Sequence, residues 1–261
     1  MLPAASAFEI RELSVSYSGV PALSDISLDI PERGVSAIIG PSGSGKSTLL
    51  RTLNRMNDLV EGVRIEGRVA FRGRDLYGPD VDPTQIRRQI GMVFQKPNVF
   101  PRSIYDNVAY GPRLHHQPGN LDEIVREALV RSGLWEEVKH DLKQHAMTLS
   151  GGQQQRLVIA RCIAVAPAAI LMDEPTSSLD PLATVRVEEL ISELAADYTI
   201  VLVTHNLRQA SRIADWTAFL AAERSASGVL HGRLAEVGPT SQLFTAPVDQ
   251  RTKRFIAESM D

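Results

Sequence analysis

Gly40 to Thr48 read Gly-Pro-Ser-Gly-Ser-Gly-Lys-Ser-Thr, which sets Gly40, Gly45, Lys46 and Ser47 at the fixed places of a G-x-x-x-x-G-K-S loop. An apolar run from Val35 to Ile39 precedes the loop, and Leu49, Leu50 and Leu53 follow it at helical spacing. The loop is therefore expected between a buried strand and an amphipathic helix, the context in which this spacing carries meaning. Glycines let the backbone curl so that successive N–H groups point inward at phosphate oxygens. All nine residues, Gly40, Pro41, Ser42, Gly43, Ser44, Gly45, Lys46, Ser47 and Thr48, are expected to line a nucleoside-triphosphate site. Lys46 is placed to reach the β- and γ-phosphates and Ser47 to ligate Mg²⁺. The rival reading, a glycine-rich turn with no ligand, does not account for both flanks.

The rest of the composition narrows the setting. With 261 residues the chain has room for one large domain with a smaller lobe. A net charge of −3 gives no electrostatic reason to expect nucleic acid as a partner. One cysteine, Cys162, rules out an internal disulfide and fits a reducing compartment; in its apolar surroundings it reads as a small buried filler. No apolar run reaches the 18 residues a membrane helix needs, and the N-terminus MLPAASAFEI has neither the basic nor the long apolar region of a secretory signal. A protein kept inside the cell is expected.

Along the chain, Phe8 to Tyr17 alternates apart from a slip at Glu12, and Leu23 to Ile30 alternates again. These predict two antiparallel edge strands leading into the loop-bearing strand. Ile65–Phe71 and Ile90–Gln95 read as further short strands. From Pro97 the periodicity turns helical; Leu121, Ile124, Val125, Ala128 and Leu129 share one helix face, with Asn120 and Glu123 as a capping-box variant. Residues 97–155 are thus expected as a helical insert. The segment from Leu149 to Gln153 opens a helix running to Ala166. Ala168–Met172 and Thr199–Thr204 read as buried strands, with a Pro181-initiated helix between them whose inward face is Val187, Leu190, Ile191 and Leu194. Two last strands, Thr217–Ala222 and Val229–Val237, precede a helical tail. The expected division is a core of residues 1–96 and 156–240, the insert at 97–155 and a tail at 241–261.

Three further motifs carry chemistry. Asp173 ends a parallel strand, where ligands bind α/β sheets, and can hold a Mg²⁺ shell; Glu174 beside it can polarise an attacking water. Leu149-Ser150-Gly151-Gly152-Gln153 opens a helix and reads either as a plain N-cap or as a second phosphate site. His205 follows a strand, where a lone histidine is more often structural.

Taken in order, Gly40–Thr48, Gln95, Leu149–Gln153, Asp173-Glu174, Ser178-Leu179-Asp180 and His205 resemble the motif set of an ATP-binding-cassette ATPase. The resemblance implies an α/β P-loop NTPase fold with a RecA-like core, an N-terminal antiparallel β subdomain and the helical insert, with ATP and Mg²⁺ as ligands. It implies that Tyr17 stacks on adenine, that Gln95 contacts Mg²⁺ and water and couples to a membrane partner, and that His205 touches the γ-phosphate. Catalysis falls to Glu174, His205, Gln95 and Lys46; the metal to Ser47, Gln95 and Asp173. Ser150 to Gln153, with Ser178, Leu179 and Asp180 nearby, face the ATP of a second copy, so a head-to-tail homodimer is implied. Finer segments, Leu53–Asp58, Phe94–Asn98, Ser103–Gly111, Ser150–Leu157 and Phe244–Pro247, are similar to the phosphate-import ATPases of bacterial phosphate-specific transport systems. That implies two membrane permease subunits, an indirectly acting phosphate-binding protein outside the membrane, and a peripheral position on the cytoplasmic membrane face. Val99, Arg102 and a longer polar stretch at Ala221–Gly232 depart from the subfamily. Import of another small solute, such as a polar amino acid, and a non-transport cassette ATPase are the rival functions; the long coiled coil or second cassette usual in the latter is missing from the sequence.

Overall fold

The structure is a computed structural model that describes residues 5–225 and 228–260. From the N-terminus, β1 (Ser6–Tyr17) and β2 (Val20–Pro31) pair antiparallel, and β3 (Gly34–Ile39) runs into the glycine-rich loop and α1 (Lys46–Thr52). β4 (Val63–Phe71) returns along β1, followed by the two-residue β5 (Arg74–Asp75), α2 (Pro83–Gln89) and β6 (Ile90–Val93). Four helices follow: α3 (Ile104–Leu114), α4 (Leu121–Arg131), α5 (Trp135–Val138) and α6 (Gly151–Ile163). The chain then re-enters the sheet through β7 (Ala169–Asp173), α7 (Pro181–Leu194), β8 (Thr199–Val203) and α8 (Leu207–Ile213). A hairpin of β9 (Trp216–Arg224) and β10 (Leu230–Pro239) precedes α9 (Thr240–Thr245) and α10 (Gln250–Met260).

All ten of these strands belong to one sheet, in the order β5-β4-β1-β2-β10-β9-β3-β8-β7-β6. β9, β3, β8, β7 and β6 are mutually parallel; the other half is antiparallel except for a single parallel bridge from β10 to β2. β7 and β8 are buried at every position, as parallel strands covered on both faces must be. The edges are β5 and β6, so β1 and β2 are interior strands rather than the expected edge pair. The slip at Glu12 is a β-bulge: Glu12 has φ 50°, and β1 shifts register there against both of its partners.

Other boundaries also moved. The strand expected to reach Gln95 ends at Val93, leaving Gln95 in a loop. The helix expected to reach Ala166 ends at Ile163, because Ala166 takes a left-handed φ of 48° before Pro167. Asn120 caps α4 through Asp122 N–H alone, without a reciprocal bond from Glu123. α6 runs unbroken through the 155/156 division, and its Leu157, Val158, Ile159 and Ala160 are buried in one cluster with the insert residues Val108, Val125 and Leu129 and the strand residues Ile170 and Met172. α7 buries Val187, Leu190, Ile191 and Leu194 as the periodicity predicts, each worth about 1.5–3 kcal/mol of removal from water. Part of the polar stretch at 221–232, residues 226 and 227, lies outside the described residues. Among the described residues no helix is long and apolar enough to cross a membrane.

Candidate functional site

The strand order builds the site. β3, β8, β7 and β6 are neighbours in the parallel half, so the segments that leave their C-terminal ends meet on one edge of the sheet, where ligands bind open α/β folds. Those segments carry Gly40–Thr48, His205, Asp173-Glu174 and Gln95 respectively.

The loop needs its glycines where the backbone is pressed. A Cβ on Gly40 would stand 2.2 Å from the Leu220 carbonyl oxygen. Gly45 has φ 78° and a Cβ there would stand 2.5 Å from Leu23 Cδ2 and 2.8 Å from the Ala22 carbonyl oxygen. Neither backbone oxygen can yield cheaply, so a side chain at either position would deform the loop. Lys46 is buried and donates from Nζ to the carbonyls of Gly40 and Pro41, 2.8 Å in each case. Burial lowers the pKa of its ammonium, against the opposing pull of Glu174 and Asp173.

Ser47 Oγ donates to Asp173 Oδ1 at 2.8 Å, and Arg51, one turn along α1, lies 3.5 Å from Asp173 Oδ2. Glu174 has φ 47°, a left-handed conformation that a non-glycine residue adopts at a cost. Its N–H donates to the Val203 carbonyl at 2.9 Å, which fixes the turn. Its Oε2 accepts from Gln95 Nε2 at 3.1 Å and lies 3.0 Å from His205 Nδ1. Two of the sequence-predicted residues, Gln95 and His205, therefore converge on one oxygen of a third, Glu174. Tyr17 packs against the core, its hydroxyl donating to Asn57 Oδ1 at 3.0 Å and lying 3.5 Å from Thr48 Oγ1.

The Leu149–Gln153 segment lies elsewhere. Ser150, Gly152, Gln153 and Asp180 line a cleft of about 220 Å³ together with Glu137 and Arg186, and no residue of Gly40–Thr48 lines it. Ser150 caps α6 in a reciprocal capping box: Ser150 Oγ accepts from Gln153 N–H at 3.4 Å, while Gln153 Oε1 accepts from Ser150 N–H at 2.9 Å. Gln153 Nε2 donates to Glu137 Oε2 at 2.9 Å, so this side chain is committed within its own chain. A Cβ on Gly152 would stand 2.7 Å from Ala183 Cβ, which explains the glycine where α6 meets α7. Leu149 packs against the core from the turn before Ser150, and Leu179 Cδ2 lies 3.8 Å from where a Cβ on Gly151 would stand. Asp180 caps α7, its Oδ1 accepting from Leu182 and Ala183 N–H at 3.0 Å each. Ser178 is exposed on the same turn.

A family model described as ABC transporter matches residues 23–177. The chain belongs to the ABC transporter family. It is 52% identical over 249 residues to phosphate import ATP-binding protein PstB 1 of Synechococcus sp. (strain JA-3-3Ab), covering 95% of this chain and 90% of that protein. It is 53% identical over 252 residues to phosphate import ATP-binding protein PstB 3 of Streptococcus pneumoniae serotype 4, covering 96% and 97%. Among solved structures, cbiO1 of Clostridium perfringens, part of the ABC transporter complex cbiONQ, matches with a TM-score of 0.76 and 27% identity over 92% of this chain and 91% of that one.

The donors in this ABC transporter chain suit ATP with a hard divalent cation. Ser47, Asp173 and Gln95 offer oxygen ligands only, the type Mg²⁺ takes, and the spaces a Cβ would fill at Gly40 and Gly45 are already in tight contact with neighbouring atoms. Sequence reasoning missed Arg51, Asn57 and Glu137. Arg51 was findable, since it stands four residues after Ser47 and shares its helix face. The Tyr17 partner of Asn57 and the Arg156 partner of Glu137 lie 40 and 19 residues away, and no local pattern announces such contacts.

Proposed function

We propose that this chain is the ATP-hydrolysing subunit of an ABC importer for inorganic phosphate. The observation that carries the hydrolytic half is the carboxylate of Glu174, held at one oxygen by Gln95 and His205 beside Lys46, Ser47 and Asp173. The relatives named as phosphate import proteins, more than half identical over nearly the whole chain, support phosphate as the solute.

In this reading the backbone of Gly40–Thr48 wraps the phosphates, Tyr17 offers its ring to the adenine, and Lys46 exchanges its two loop carbonyls for β- and γ-phosphate oxygens. Ser47 and Asp173, with Gln95, would hold Mg²⁺, which would supply neutralisation of phosphate charge. Glu174 takes the proton of the attacking water. Gln95 orients that carboxylate and senses the membrane partner, and His205 contacts the γ-phosphate. Ser150, Gly152, Gln153 and Asp180 line a cleft apart from the phosphate loop, which supports a head-to-tail homodimer in which Leu149–Gln153 and Asp180 meet the ATP of the second copy. Two permease subunits, a phosphate-binding protein acting through them, and a cytoplasmic, peripheral position complete the proposal. The core at 1–96 and 156–240, the insert at 97–155 and the tail at 241–261 are its working parts.

Reconstitution of the chain with its permeases in proteoliposomes tests the reading. ATP-dependent accumulation of labelled phosphate is expected, and Glu174→Gln should lower hydrolysis by about a hundredfold or more. Wild-type hydrolysis by Glu174→Gln would remove Glu174 from its role.

A further inference from the structure

The segment Leu53–Asp58 has no part in the chemistry above, yet it is tied to the nucleotide site by one buried amide. Asn57 is 1% exposed. Its Nδ2 donates to the Thr48 carbonyl at 2.9 Å and to Thr52 Oγ1 at 2.8 Å. Both amide hydrogens are thereby used, and Oδ1 accepts from the Tyr17 hydroxyl at 3.0 Å. Since Oδ1 can only accept, the Tyr17 hydroxyl must donate, which turns its proton away from any base on the ring face.

The amide itself has little freedom to move. Arg55, in a left-handed conformation of φ 62°, donates to the carbonyls of Leu76 and Val81 and pairs with Asp58. Arg87 donates to the Arg55 carbonyl at 2.8 Å, and the Tyr77 hydroxyl donates to the Thr52 carbonyl at 2.9 Å. Burial pushes the Tyr77 phenol pKa upward, so it stays a donor at all ordinary pH. Asn57 thus bridges two elements far apart in sequence: the end of β1 that carries Tyr17, and the first turn of α1 that ends the phosphate loop.

We infer that Asn57 is a positioning residue that fixes the Tyr17 ring at a set height above Thr48, so that base and triphosphate are bound in register. The inference rests on the reading of Tyr17 as the adenine platform. Because the hydroxyl is engaged by Asn57, the platform recognises a base by its face rather than by its edge.

The test uses the full chain assembled with its permeases, measuring KM and kcat for ATP and, separately, inhibition by inorganic tripolyphosphate, which has no base. Tyr17→Phe keeps the ring and loses the bond to Asn57 together with the 3.5 Å contact to Thr48 Oγ1; Asn57→Leu removes the acceptor and leaves that weaker contact in place. Each should raise KM for ATP by about three- to tenfold, the worth of one net hydrogen bond, with kcat changed by less than about twofold on the same basis. Tripolyphosphate inhibition should not move, and the double variant should be no worse than the more affected single one. Tyr17→Ala sets the scale, since it removes the ring and should raise KM further. A normal KM in Tyr17→Phe with a raised KM in Tyr17→Ala would overturn the clamp while leaving the platform in place. A normal KM in Tyr17→Ala would overturn both. Equal weakening of ATP and tripolyphosphate, or additive single effects, would reduce Asn57 to a support of α1 and overturn the inference.

Discussion

Replacing Glu137 with alanine strips Arg156 of its carboxylate partner. Arg156 donates from both terminal nitrogens to Glu137, at 2.9 and 3.1 Å, and among the described residues its side chain otherwise donates only to the Gly133 carbonyl. The arginine side chain is 7% exposed and the glutamate 33%. Leaving a buried charge unpaired costs about 3–5 kcal/mol, and solvent at the one-third-exposed glutamate reduces that to about 2 kcal/mol. For a chain of this size that is a fall in Tm of roughly 4–8 °C by calorimetry at pH 7. The pH dependence has a definite sign. Hydrogen bonding from Arg156, then from Gln153, holds the Glu137 carboxyl below its ordinary range. Its contribution is therefore full above the unfolded carboxylate pKa of about 4.3 and is lost as pH falls through the lower folded value. The gap between wild type and variant should narrow below about pH 4. Equal melting temperatures at pH 7, or a gap that persists undiminished in acid, would refute the reasoning. Because Gln153 Nε2 also binds Glu137, the variant should loosen the start of α6 as well, seen as faster amide exchange at Ser150–Gln153.

Other perturbations follow from the same geometry. Gly40→Ala drives a methyl against the Leu220 carbonyl and should abolish nucleotide binding even where the protein folds; retention of ATP binding at wild-type affinity would contradict the close approach. The Cys162 thiol, half-buried and pushed up to about 12 by desolvation, should react with iodoacetamide more slowly in the native protein at pH 8 than after unfolding; equal labelling rates would count against the shift. Asp180→Ala removes the acceptor for two N–H groups at the start of α7 and should cost about 1 kcal/mol in chemical denaturation, while Asp180→Asn should recover most of it.

The parts of the site that could be read from the sequence are those fixed by short-range pattern. The glycine spacing of Gly40–Ser47, the buried runs before Asp173 and His205, and Pro181 after Asp180 each declare their place locally, and the strand order then brings them together. α2 escaped because Ile86 is its one buried residue, leaving no apolar stripe to read. β5 has two residues, too few to show alternation. The end of α6 was overrun because Ala164-Val165-Ala166 continues the apolar texture past the point where Pro167 stops the helix. The Gln153 amide also closes a capping box and meets Glu137, a pairing that local pattern does not show because it depends on how α5 packs against α6. Interior placement of β1 and β2 depends on β4 and β10 flanking them, a long-range result that alternation cannot supply.

The central claim, that this chain powers phosphate import, is tested most directly by labelled phosphate uptake in phosphate-starved cells carrying Lys46→Ala at the native locus. Loss of high-affinity phosphate uptake, with sulphate and amino-acid uptake unchanged, is the expected result. Unchanged phosphate uptake in cells with no second phosphate-import cassette would contradict the claim.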